Sequence, residues 1–155
     1  MPVPEFVTRL RRHVGTAELW LPGVTAVVRR GSDVLLVRRS DNAEWTPVTG
    51  IVDPGEDPGV CARREVLEET GVEVTVDRLA WVKALPTTTH VNGDVATYLD
   101  HTFACTYAGG DAHVADDESS DVRWWPLDDL PPMRPTYAER IACVLDEDPV
   151  TRFTS

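Results

Sequence analysis

Between residues 50 and 72 the chain reads GIVDPGEDPGVCARREVLEETGV, and this stretch limits the fold more than any other. Gly50 is followed after five residues by Glu56, and after seven more by Arg64 and Glu65. Apolar Val66, then Glu68, Glu69, Gly71 and apolar Val72 complete the spacing. Asp53-Pro54-Gly55 and Asp57-Pro58-Gly59 are turn-forming runs, so the stretch opens as a tight loop. Asp57 suits a helix N-cap, Pro58 the first helical position and Gly71 a C-terminal stop. A helix over residues 58–70 is predicted.

At about 100° per residue, Val60, Val66 and Leu67 share one arc of that helix, expected to pack into the core. Glu65, Glu68 and Glu69 share the opposite arc. Like charges three and four residues apart cost an exposed helix only about 0.2–0.5 kcal/mol per pair. A solvated acidic face is therefore compatible with the pattern. So is a cation site, because carboxylates on a rigid helix beside a loop carbonyl are oxygen ligands for a hard cation.

The spacing resembles the Nudix box, G-x5-E-x7-R-E-U-x-E-E-x-G-U with U apolar, and every fixed position matches. Chance agreement is on the order of 10^-8 per starting position at average residue usage. The resemblance implies the Nudix fold, an α/β architecture with a mixed β-sheet sandwiched between helices (an α/β/α sandwich). It also implies hydrolysis of a nucleoside diphosphate linked to a group X. The substrates implied are nucleoside triphosphates, oxidised ones included, or ADP-ribose-like molecules. By the same resemblance Mg²⁺ or Mn²⁺ is held by Gly50, Glu65, Glu68 and Glu69. Arg64, Glu65 and Glu68 belong to the catalytic set, Arg64 as the orienter of a box glutamate, and Glu56 supports the loop. Two other chemistries occur on this fold. A non-catalytic nucleotide sensor usually lacks one or more box carboxylates, all of which are present here. An isoprenoid diphosphate isomerase needs a placed cysteine, whereas Cys61 lies within the box helix.

At 155 residues the chain has the size of one domain with a buried core. The expected division is a helical extension over residues 1–16, the hydrolase domain over 17–148 and a loose tail over 149–155. No run approaches the roughly 20 apolar residues of a membrane span, and the first residues lack the apolar centre of a signal peptide. A cytoplasmic protein is expected. Cys61, Cys105 and Cys143 are widely separated and read as reduced cysteines. The formal net charge of −11 argues against a nucleic-acid polymer as partner. It also opposes a free nucleotide, a conflict that a metal ion and local arginines would resolve. A small-molecule nucleotide is the expected partner. Many relatives in the family are dimers, so a homodimer is one arrangement that the resemblance implies.

Along the chain, residues 4–14 read as a short helix. The β-branched runs 24–29 and 34–38 read as a hairpin closed by Arg30-Gly31-Ser32-Asp33. Arg38 and Arg39 leave the second strand, either as a polar strand end or, as in many family members, as phosphate ligands. In the lead-in to the box, WTPVT, Pro47 comes one residue earlier than in the common family form. Residues 72–76 and 79–85 read as two strands, 86–94 as a polar turn, 95–107 as a long strand bulged near Asp100-His101, and 121–126 as a last strand. A helix from Thr136 to about Asp146 turns Ile141, Val144 and Leu145 inward. The acidic run Asp116-Asp117-Glu118 reads as a solvated loop, or as the source of the family's further carboxylate. Glu118 is the choice for that role and Asp121 the next. His13, His90, His101 and His113 lack metal spacing. Trp20, Trp45, Trp81, Trp124, Trp125 and Tyr98 are candidates to stack a base, or packing residues.

Overall fold

The structure, a computed structural model, describes residues 3–146 and 148–154. Its centre is the parallel pair of β1 (Leu19–Arg30) and β7 (Val95–Gly109), registered from Leu19 opposite Ala96 to Arg29 opposite Thr106. β2 (Asp33–Arg39) returns from β1 by the expected tight turn, with Arg30 opposite Asp33. β3 (Trp45–Thr46) and β8 (Ser119–Pro126) pair antiparallel with β2. β4 (Val48–Ile51) pairs with β1, and β5 (Glu73–Ala84) and β6 (Thr88–Thr89) pair with β7. The eight strands form one mixed sheet.

The central strands are buried on both faces, so they read as apolar runs with little polar alternation. Their side chains still alternate between two cores. Val24, Ala26 and Val28 of β1 join Leu35, Val37, Phe103 and Cys105 under α2 (Pro58–Thr70). Val27 joins Val34, Leu36, Ala80 and Trp81 on the other face, under Ile141 and Val144 of α3 (Pro135–Leu145). α1 (Glu5–Val14) covers a third cluster with Val7 against Leu21 and Ala96. Its Arg11 donates to the carbonyl of Val95 at 2.7 Å, which ties the helix end to the start of β7. The α/β/α sandwich is the architecture that the sequence implied.

Three local readings are corrected. The predicted strands 72–76 and 79–85 are one strand, β5, whose register shifts against β7 between Val76 and Arg78 and between Leu79 and Trp81. The bulge expected at Asp100-His101 lies instead on this partner strand. The tail over 149–155, where described, is not loose. The amide of Arg152 donates to Ala80 O at 2.8 Å and its carbonyl accepts from Val82 N at 3.0 Å. The Thr151 hydroxyl donates to Leu79 O at 2.8 Å. Backbone groups of β5 that β7 leaves unpaired find their partners there.

Candidate active site

The box loop connects β4 to α2. Asp57 stands at the N-cap with extended backbone, although its side chain makes no capping hydrogen bond, and Pro58 opens the helix. Gly71 closes it at φ 69°, with its amide donating to Leu67 O at 3.0 Å. Helix limits follow the turn residues, but the inward face does not follow the apolar ones. Val60 and Leu67 are 58% and 50% exposed, and of the expected arc only Val66 is buried. The buried arc runs through Cys61, Ala62, Glu65, Val66, Glu69 and Thr70. Two small residues on this arc let the helix lie close to the sheet, and the two glutamates enter with them. Glu65 is 0% and Glu69 4% exposed.

Gly50 on β4 faces Glu65. A Cβ built on Gly50 would run into the Glu65 side chain, so glycine is required there by close approach. One carboxylate oxygen of Glu65, Oε2, is buried with no hydrogen-bond partner. Burial drives the Glu65 carboxyl up to about 8, against the Arg64 charge, with Glu69 and Glu68 adding like-charge repulsion. Burial also raises Glu69, to about 7, with the Asp116 charge adding to it and Arg39 and the Ser119 hydroxyl opposing.

Arg64 holds this cluster in place. Its Nε and Nη2 donate to Glu56 Oε1 and Oε2 at 2.8 and 2.9 Å. Its Nη1 donates to Glu65 Oε1 at 3.0 Å and Glu68 Oε2 at 3.1 Å. One guanidinium thus joins the loop glutamate to two helix glutamates in a bidentate and a bridging contact. These hydrogen bonds hold the Glu56 carboxyl below its ordinary range. Glu56 in turn accepts the amide of Asp53 at 3.2 Å, which folds the loop back on itself.

The loop before β8 closes the far end. The amides of His113 and Ala115 donate to the carbonyls of Thr70 and Glu69 at 3.0 and 3.1 Å, satisfying groups at the helix end. Ser119 donates to Glu69 Oε2 at 3.4 Å. Glu118, the residue expected from the sequence, lies in this loop, and the charge of its neighbour Asp116 acts on Glu69. Glu118 contributes its backbone, accepting Ser40 N at 2.8 Å and donating to Asp116 Oδ1 at 3.1 Å. Asp121 lies along β8 and pairs with Arg123 at 2.6 Å.

Of the two strand-end arginines, Arg39 is the one whose charge reaches Glu69, and it is gripped by both oxygens of Asp41 at 2.9 and 2.7 Å. Arg38 points elsewhere and donates to Ala43 O at 3.1 Å. The candidate aromatics are dispersed. Trp20 is exposed, Trp45 meets Trp125 edge-on, Trp124 lies under the Arg30 guanidinium, and Tyr98 bonds His90 at 3.0 Å. Cys61, Cys105 and Cys143 are free and buried, and burial pushes the Cys61 thiol up.

Among the described residues no three Asp, Glu, His or Cys side chains already converge into a cation cage. The donor set nevertheless fits a hard divalent ion. It offers oxygen ligands on a rigid helix, a buried carboxylate oxygen without a partner and a neighbouring residue stripped to glycine. Among the described residues no helix is long and apolar enough to cross a membrane.

The NUDIX domain model matches residues 19–147. A "MutT-like protein" of Streptomyces ambofaciens is 36% identical over 121 residues, covering 77% of this chain and 73% of that one. An "NAD-capped RNA hydrolase NudC" of Pseudomonas syringae pv. tomato is 35% identical over 118 residues. That match covers 72% of this chain, which spans only 38% of the relative's length. Among solved structures, a UDP-X diphosphatase superposes with a TM-score of 0.66 at 22% identity, over 91% of this chain and 70% of that one, a likeness of fold.

Proposed function

The chain belongs to the Nudix family, and from that membership we propose that it hydrolyses the diphosphate bridge of a nucleoside diphosphate linked to a group X. The observation that carries this reading is the buried, partly unpartnered Glu65 facing Gly50. Left alone, a buried carboxylate is costly, and a cation bound there removes the cost. Glu65, Glu68 and Glu69, with the Gly50 carbonyl, would hold Mg²⁺ or Mn²⁺. When bound, such an ion neutralises phosphate charge and lowers the pKa of a water for attack on phosphorus.

The chain's own residues do the rest. Arg64 orients Glu65 and Glu68, and Glu56 fixes Arg64. Arg39, beside Glu69, offers a guanidinium that a phosphate oxygen can share with Asp41. A carboxylate of the acidic loop, Glu118 or Asp116, is the proton acceptor; the Asp116 charge also opposes ionisation of Glu69. The substrate class is a nucleoside triphosphate, oxidised ones included, or an ADP-ribose-like dinucleotide. The net charge of −11 favours such small molecules over a polymer. The relative's name makes an NAD-capped oligonucleotide a necessary comparison.

The test is a hydrolysis panel with Mg²⁺ on wild type and Glu69→Gln. It contains the dNTPs, 8-oxo-dGTP, CTP, ADP-ribose, diadenosine polyphosphates, NADH and an NAD-capped oligonucleotide, with phosphate and pyrophosphate assayed separately. Wild type is expected to cleave one class, and Glu69→Gln to lose turnover by about two orders of magnitude or more with the fold kept. Nucleotide binding with no product would point instead to a sensor.

A further inference from the structure

The loop between β7 and β8 carries Asp116, Asp117 and Glu118 past the end of α2, and it is held on either side of them. Ser40, in the turn after β2, holds the far side. Its amide and hydroxyl donate to Glu118 O at 2.8 and 2.7 Å, and the hydroxyl also lies 3.0 Å from Asp117 O. On the near side the loop lies over the last turn of α2, where the amides of His113 and Ala115 donate to Thr70 O and Glu69 O. The acidic run hangs between these two anchors.

The near anchor is built around two glycines of positive φ, Gly71 at 69° and Gly110 at 83°. A Cβ on Gly110 would strike the carbonyl of Gly71, so the loop leaves β7 directly across that residue's backbone. A Cβ on Gly71 would strike the imidazole of His113. The ring therefore rests where a side chain of residue 71 would be, in space that only glycine leaves open. Its orientation is fixed as well. His113 Nδ1 lies 2.7 Å from Asp111 O, and a carbonyl only accepts, so Nδ1 carries the proton. The Tyr107 hydroxyl donates to Gly110 O at 2.9 Å and braces the same turn.

His113 is exposed and belongs to none of the apolar cores. What its ring adds is registration. Ala115, two residues on, is bonded to the carbonyl of Glu69, and the Ser119 hydroxyl bonds the Glu69 carboxylate at 3.4 Å. A shift of the ring would carry the acidic run along α2 relative to Glu69. Misplacing a reacting group by about 1 Å costs on the order of a hundredfold in rate. A surface contact of this kind can therefore govern the chemistry while contributing little to the fold.

We propose that His113 is the positioning residue of the acidic loop, and that Gly71, which ends the box helix, is the seat it requires. The role in turnover rests on the hydrolase reading, whereas the seat is tested without substrate or metal. In EDTA, hydrogen exchange at the Ala115 amide should quicken by about tenfold in His113→Ala, with amides in the middle of α2 unchanged. With Mg²⁺ and the substrate that the hydrolysis panel identifies, His113→Ala should lower kcat by about tenfold and leave KM within about twofold. His113→Asn, whose amide donates to Asp111 O in place of Nδ1, should recover most of both readouts. Gly71→Ala should cause the same two changes, because its methyl takes the place of the ring. The double variant should be no worse than Gly71→Ala alone, since both substitutions remove one contact. If Gly71→Ala does not fold, Gly110→Ala, which lifts the loop off the Gly71 carbonyl, takes its place in the cycle. The assignment is overturned if kcat is unchanged in His113→Ala, if KM rises in step as kcat falls, or if the two losses multiply in the double variant. Exchange that responds in a chain that hydrolyses no panel member would overturn the hydrolase reading alone. Hydrolysis with Ala115 exchange unmoved by His113→Ala would overturn the seat alone.

Discussion

Arg64 grips both carboxylate oxygens of Glu56, at 2.8 and 2.9 Å, from nearly two turns inside the helix to the end of the loop that precedes it. The two residues act as one clamp, and the remaining arm of Arg64 reaches the box glutamates. Glu56→Gln and Arg64→Lys should each lower kcat by about tenfold or more, through misplacement of Glu65 and Glu68. The double variant should cost little beyond either single one. A coupling of about 1–3 kcal/mol in a denaturation cycle is expected for this partly buried charged pair. Additive effects would show that the clamp is not a unit.

The glutamates should impose an inverse pH dependence on the metal-free protein. Folded-state values of about 8 for Glu65 and about 7 for Glu69 exceed the 4.5 of an ordinary glutamate. The folded chain therefore holds these protons more tightly than the unfolded one. The stability they contribute is fully present below about pH 4.5 and is lost as pH rises through about 7 and 8. Calorimetry in EDTA should show Tm falling across that window, with Mg²⁺ restoring it and Glu65→Gln flattening the profile. A Tm that climbs over the same range would contradict the burial argument.

Gly50→Ala places a methyl where the Glu65 carboxylate lies. The side chain must move, so activity should fall by about two orders of magnitude while circular dichroism stays native. Unchanged kcat with Mg²⁺ would mean that the position of Glu65 is not critical.

Ala43 has φ 60° in the loop between β2 and β3, a left-handed conformation that costs a residue with a Cβ about 1–2 kcal/mol. Its carbonyl accepts Arg38 and its amide donates to Arg39 O, so the loop cannot easily relax. Ala43→Gly should raise stability by up to about 1 kcal/mol in urea denaturation, with the strain relieved and part of the gain offset by unfolded-state entropy.

Turn chemistry made the box helix readable to its ends, and β-branched runs marked the strands at the centre of the sheet. Helix orientation was harder to read. Val60 and Leu67 look like core residues on a helical wheel, yet the face that packs is the one bearing Cys61, Ala62, Glu65 and Glu69. Periodicity assumes that apolar groups are what a helix buries, and a site built of buried carboxylates breaks that assumption. The register shifts that merge two predicted strands into β5 leave no local mark either. Neither does the buried hydrogen-bonded group of Thr25, Asp100, Thr102 and Arg140, whose members meet only because β1 and β7 pair in parallel beneath α3. A helix rule that asked where small residues lie, as well as large apolar ones, would have found the inward arc of α2.

The bridge from Arg152 to Trp81 has one more effect. β5 ends the row of paired strands, and such a strand offers open amides and carbonyls to any extended peptide, including another copy of the chain. Arg152 occupies part of that template and lays its guanidinium 5.3 Å from the centre of the Trp81 ring. Residues 151 and 152 thus cover part of an edge that would otherwise be open to a second strand. A chain cut after Asp148 would keep its box and its cores, but leave that margin uncovered.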